Sequence, residues 1–225
     1  MNESVLRFPQ DRSIGKLSTR KSDSQREWTE YAAARGEIAI PRGVEVLLSI
    51  DPCVEFDPAL FSDFEPEALA VFEWVSTSRV FDAAIKHLRQ LTGLKGLALW
   101  ETDIGDEALR SIGHLYNLEW LDIGDTEITD QGLASIRELC SLDYLTLLND
   151  RVTDKGLVHL ERLPKLRGLD LMNTLVDDDV VELLSRFYSL RSLRIVGTHI
   201  TESGFKEMKR ALPLCKIRYH HPHQV

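Results

Sequence analysis

Leucine occupies positions 94, 118, 142, 166, 190 and 214, an unbroken series with a spacing of 24 residues. Each is followed by an apolar residue three and five positions later: Leu97 and Leu99, Leu121 and Ile123, Leu145 and Leu147, Leu169 and Leu171, Leu193 and Ile195, Ile217 and Tyr219. An earlier unit with Leu69, Phe72 and Trp74 is one residue longer. A fixed period of this length marks a stacked array, in which each unit buries its apolar face against its neighbours. Inside each unit the apolar spacing changes from two to a helical one, as in Leu133, Ile136 and Leu139 or Leu157, Leu160 and Leu163. Each unit therefore reads as strand, turn, helix. A second motif joins the halves. It runs Thr126-Glu127-Ile128-Thr129-Asp130-Gln131-Gly132-Leu133 in one unit and Thr198-His199-Ile200-Thr201-Glu202-Ser203-Gly204-Phe205 in another. Its second Thr and the following acidic residue stand where a helix wants an N-cap. The glycine is expected to let helix and strand approach closely, although Ala108 and Val180 replace it in two units.

These residues resemble the leucine-rich-repeat family, whose signature is L-x-x-L-x-L followed by a polar residue. The second half looks like repeats common in bacterial proteins, and is similar to the cysteine-containing repeats of F-box proteins. The resemblance covers 69–219, as units 69–93, 94–117, 118–141, 142–165, 166–189 and 190–213 with a terminal strand 214–219. It departs from the plainest pattern in placing Thr102, Thr126, Thr174 and Thr198 where Asn is usual. It implies an α/β horseshoe solenoid with a concave parallel sheet and convex helices, and no one function.

The ends are read from composition. Residues 38–68 are expected to form an N-terminal cap. In it Ile38-Ala39-Ile40 and Val44–Ile50 make a hairpin or strand pair, and Phe56, Leu60, Phe61 and Phe64 seal the first repeat. Residues 1–37 are polar and expected to be partly mobile, with a short helix over 25–35 carrying Trp28 and Tyr31. Residues 220–225 read as a tail. The terminal strand is an open edge that invites pairing with a second copy, so homodimerisation stands as an alternative role.

Composition narrows the function. Lys plus Arg total 27 against 36 Asp plus Glu, a net charge of −9, which argues against nucleic-acid binding. No apolar run reaches the ~18 residues that cross a bilayer, and the first 30 residues lack a secretory h-region. Cys53, Cys140 and Cys215 are 87 and 75 residues apart, neither a disulfide framework nor a zinc module. A cytoplasmic protein with no cofactor is expected. Eight acidic residues and no Lys or Arg between 43 and 78 read as a solvated acidic cap or a dock for a basic partner. The histidines are spread over different units, Asp177-Asp178-Asp179 falls at a helix start, and no phosphate loop or nucleophile motif is present.

What remains is a surface. If unit positions 4 and 6 point inward, positions 3, 5 and 7 face the concave side. These place Trp100, Trp120, Tyr144, Leu148 and Met172 in one band, with Asp122, Asp170 and Arg194 beside it. Such a band suits a non-catalytic module that binds a protein or peptide, the acidic and basic residues setting orientation. Lateral packing of the aromatics on one another is the other reading of the same band. An enzyme using Asp122 and Asp170 as paired carboxylates, ~9.5 Å apart by strand spacing, is a third and lacks a nucleophile.

Overall fold

A few large apolar residues among polar ones are enough to hold the chain's first strands. The computed structural model describes residues 4–22, 27–51, 54–55, 57–74 and 82–220. It opens with β1 (Ser4–Arg7), β2 (Gly15–Lys21), β3 (Thr29–Ala33), β4 (Glu37–Ile40) and β5 (Val44–Ile50). Leu6, Phe8, Ile14 and Leu17 are buried in the core. The described part of the polar opening segment, 4–22 and 27–37, thus belongs to the folded cap. The expected helix over 25–35 is instead β3, as far as its residues are described. Trp28 lies under the Arg20 guanidinium and the Tyr31 hydroxyl donates to the Ala39 carbonyl, contacts that reach across strands. Nor do β4 and β5 make a hairpin. β4 pairs with β1, and β5 joins β2 in the main sheet.

Each unit then begins with a three-residue strand: β6 (Val71–Glu73), β7 (Gly96–Ala98), β8 (Trp120–Asp122), β9 (Tyr144–Thr146), β10 (Gly168–Asp170), β11 (Ser192–Arg194) and β12 (Lys216–Arg218). Among the described residues ten strands form one sheet, in the order β12-β11-β10-β9-β8-β7-β6-β5-β2-β3. From β5 to β12 neighbours are parallel, and equivalent residues meet, as in Leu97, Leu121, Leu145, Leu169, Leu193 and Ile217. The return path of each unit is helical: α1 (Asp82–Ile85), α2 (Asp106–Ile112), α3 (Asp130–Leu133), α4 (Asp154–Leu157), α5 (Val180–Leu184) and α6 (Glu202–Ala211), with 3-10 turns extending α1, α3 and α4. The inward leucines of sheet and helices form one continuous core. At the cap a 3-10 helix Pro58–Asp63, capped by Asp57, brings Phe61 against Phe72 and Phe64 against Phe8. Phe56, the stretch 78–81 and the tail beyond 220 lie outside the described residues.

Three ladders run along the solenoid and fix the pitch. In the first, the hydroxyls of Thr102, Thr126, Thr174 and Thr198 each donate to the carbonyl three residues back. In the second, a run of left-handed residues, Glu101, Asp125, Asn149, Asn173 and Gly197, turns the chain out of each strand. There Asn173 Nδ2 donates to Asn149 Oδ1 (2.7 Å) and Asn149 Nδ2 donates to Asp125 Oδ1. In the third, the amide and hydroxyl of Thr129 donate to Asp106 of the preceding unit, Thr153 to Asp130 and Thr201 to Asp178, at 2.6–2.8 Å. The hydroxyl oxygens of these threonines also accept from Gln131, Lys155 and Gly204, which makes them helix caps as expected. The glycine of the motif serves the third ladder. A Cβ on Gly132 would sit 2.4 Å from Asp106 Oδ1, so the space it leaves admits the neighbouring carboxylate. Where Val180 stands in that place, no bond joins Asp154 to the next unit among the described residues.

Candidate functional site

Side-chain alternation along strands of three residues gives the concave sheet two rows set by the strands and a third just after them. The first row runs Leu47, Val71, Gly96, Trp120, Tyr144, Gly168, Ser192 and Lys216, each aligned with the next. The middle row runs Ser49, Glu73, Ala98, Asp122, Thr146, Asp170, Arg194 and Arg218. The third carries Trp100, Gly124, Leu148, Met172 and Val196.

The aromatic residues do not stack on one another. Trp120 lies on Gly96 of one neighbouring strand, where a Cβ would come within 2.1 Å of its ring. Tyr144 lies on Gly168 of the opposite neighbour at the same notional distance. The two rings thus lean apart, each flat on a strand glycine that leaves room for it. Leu148 likewise packs beside Gly124. Trp100 and Tyr144 keep 39% and 37% of their surface exposed, while Trp120, Leu148 and Met172 are half-buried.

The charged members differ sharply. Asp170 is 1% exposed and lies under Arg194, with Nη1 2.7 Å from its Oδ2, while the Met172 amide donates to Oδ1. Burial raises its pKa despite those contacts. Its charge is thus taken up within the protein, and Arg194 presents the pair to solvent. Asp122 is half-buried, bonded by the Gly124 amide, and burial raises its pKa too, with Asp170 and Asp125 adding repulsion. Glu73 is raised by burial beside Ser49. Burial also pushes Glu45 upward, but hydrogen bonds from Lys95 and Arg20 outweigh it and hold the carboxyl below its ordinary range.

Two features were not read as functional from the sequence, although Asp150 is seen there to replace a repeat threonine. Asp150 takes the place of a ladder threonine and is 1% exposed. Its Oδ1 accepts from the Thr126 amide and hydroxyl, and its Oδ2 has no partner. Burial pushes its pKa up to about 7. The second is a shallow groove of about 450 Å³ along the row that precedes the strands, lined by Glu119, Asp143, Lys165, Arg167 and Arg191 among others. Arg167 holds Asp143 through both oxygens and keeps that carboxyl low. Stacking the sequence in rows of 24 would have shown both.

Elsewhere the chemistry is sparse. Among the described residues no three His, Cys, Asp or Glu side chains converge as a metal site, and no helix is long and apolar enough to cross a membrane. Cys140 is exposed and Cys215 half-buried, both as free thiols.

A row of parallel three-residue strands at a 24-residue pitch, backed by short helices and tied by polar ladders, decides the architecture. The chain is a leucine-rich-repeat solenoid. A solved structure agrees with that fold. An internalin from Listeria monocytogenes superposes with a TM-score of 0.59 at 19% identity, over 79% of this chain and 47% of the internalin. A leucine-rich-repeat protein from Leptospira interrogans gives 0.49 at 21% identity, over 68% of this chain and 37% of that one. The ectodomain of the Arabidopsis receptor kinase HAESA, solved with a peptide hormone, gives 0.48 at 16% identity, over 63% and 24%. This solenoid thus spans less than half the length of each of these chains. No protein-family profile and no curated protein sequence matches it.

Proposed function

We propose that this leucine-rich-repeat solenoid is a non-catalytic interaction module that receives a peptide or protein segment on its concave sheet. The observation that carries the reading is the partial exposure of Trp100 and Tyr144 on the concave sheet. Large aromatics in that setting lose water only when a partner arrives, and such residues dominate interface energetics. Leu148 and Met172 extend the apolar strip, and Asp122 and Arg194 border it with opposite charges. Asp170 acts through Arg194. The exposed free thiol of Cys140 suits a reducing, cytoplasmic setting.

Affinity capture from source-cell lysate tests the reading, with the native chain beside a Trp100→Ala, Tyr144→Ala variant. A Tyr188→Ala variant serves as control, because Tyr188 is 85% exposed in the turn after α5 and far from the strip. Loss of the aromatic pair should weaken binding of the captured protein by ~30-fold or more, as for a true hot spot, and Tyr188→Ala should leave it unchanged. Equal capture by all three proteins would remove the concave face from consideration.

Self-assembly through the open β12 edge is the second reading. Antiparallel pairing of two β12 edges would place Lys216 of one copy against Arg218 of the other, a like-charge contact that disfavours it.

A further inference from the structure

From β6 to β12 the concave sheet is electrically polar along the solenoid axis, whereas β2 beyond them carries Lys16 and Arg20 in ion pairs with Glu30 and Glu45. In β6–β8 its rows carry Glu73 and Asp122, the turn row adds Glu101 and Asp125, and no Lys or Arg stands among them. In β11 and β12 the same rows carry Arg194, Lys216 and Arg218. Arg194 is paired with Asp170, whereas Lys216 and Arg218 are exposed and make no ion pair among the described residues. The row before the strands runs Lys95, Glu119, Asp143, Arg167 and Arg191, in which Lys95 is paired with Glu45 and Arg167 with Asp143. Trp100 and Trp120 stand beside the acidic residues, and Tyr144, Leu148 and Met172 lie between them and the basic pole.

Resting on the concave reading above, we propose that the occupant is an extended segment with ends of opposite charge. Its basic end lies over Glu73 and Asp122, its apolar middle on the aromatic strip, and its carboxylates over Arg194, Lys216 and Arg218. Strand spacing sets its length. Asp122 and Arg218 stand four strands apart, ~19 Å, which an extended chain covers in about six residues at ~3.3 Å each. Charge complementarity across such a face fixes direction and suppresses the reversed arrangement.

The test uses a synthetic peptide of three lysines, six alternating leucines and serines, and three glutamates. It is made in two versions, with a nitroxide at the glutamate end or at the lysine end, and titrated into the full chain at low salt. The glutamate-end label should broaden amide resonances of 192–194 and 216–218, and the lysine-end label those of 71–73 and 96–98. Lys216→Glu with Arg218→Glu, two exposed positions, should weaken binding ~10-fold and abolish the difference between labels. Lys155→Glu, on the convex side, should change neither. If both labels broaden the same concave residues, the polarity falls while the concave surface stands. If broadening avoids the concave rows, or the peptide does not bind, both fall. A rise in mass of the protein alone, lost in the Lys216→Glu, Arg218→Glu variant, would assign the basic pole to a second copy and overturn the proposal.

Discussion

Replacing Asp150 with asparagine should stabilise the protein at pH 8 by about 4 kcal/mol and leave it nearly unchanged at pH 4. The threonines at the equivalent positions each bring a proton to satisfy a buried carbonyl, and an ionised carboxylate has none to give. Asp150 is enclosed, accepts only on Oδ1 from Thr126, and has its second oxygen unpaired. Burying that charge is costly, so the folded state holds the proton up to about pH 7, against an ordinary value of 3.8. An acid whose pKa rises on folding contributes stability below its unfolded pKa. That contribution drains as pH climbs through the window from 4 to 7, and it is gone above it. Asparagine keeps the Oδ1 acceptor for Thr126 and carries no charge at any pH. Urea unfolding of both proteins between pH 4 and 9 reads the effect as a difference that cancels all other titrating groups. A constant gap across the range would show that the cost of Asp150 is packing and not ionisation.

The second large effect is a reversal of sign. Gly132→Ala in an ordinary helix would gain about 1 kcal/mol. Here it should cost about 2 kcal/mol, because the new methyl would meet the Asp106 carboxylate. Asp106→Ala alone should also cost about 2–3 kcal/mol, through the two bonds that Thr129 loses. In the double variant the methyl fills the space that the carboxylate has left, and the helix preference returns. The pair should therefore be at least 2 kcal/mol less damaging than the sum of the singles. A double-variant cycle by chemical denaturation measures it, and additive costs would mean that the glycine and the carboxylate are independent.

These two cases show what was legible in the sequence. The 24-residue period placed all the repeat strands, and the Thr-Asp pairs placed the caps, because both are rules about near neighbours. The partners of Asp106, Asp130 and Asp178 lie 23 residues on, so a reading of one unit at a time placed acidic residues at the helix starts without their ties to the next unit. Asp170 was singled out as free to meet a partner for the same reason, although Arg194, 24 residues later, covers it. The cap was harder. Leu6, Phe8, Ile14 and Leu17 follow no period, and Trp28 and Tyr31 stand three apart as they would on a helix, yet belong to an edge strand and its approach. Nothing local distinguishes those cases. The strands form there because β5 offers an edge that must be covered. The concave strip itself was legible, but not the way its rings settle, which the glycines of adjacent strands decide.

The valine at 180 has a mechanical meaning. A linear array shares its cooperativity through the joints between successive units, and folds as one body only while every joint is comparably strong. Here the joint between α4 and α5 has lost its carboxylate-to-threonine tie, while those on either side keep theirs. The solenoid therefore carries a scored line across its back. The segment beyond that line, with Gly168, Met172 and the Arg194 and Arg218 pole, is expected to open at a lower free energy than the cap, uncovering the Tyr144 side of the strip as it does.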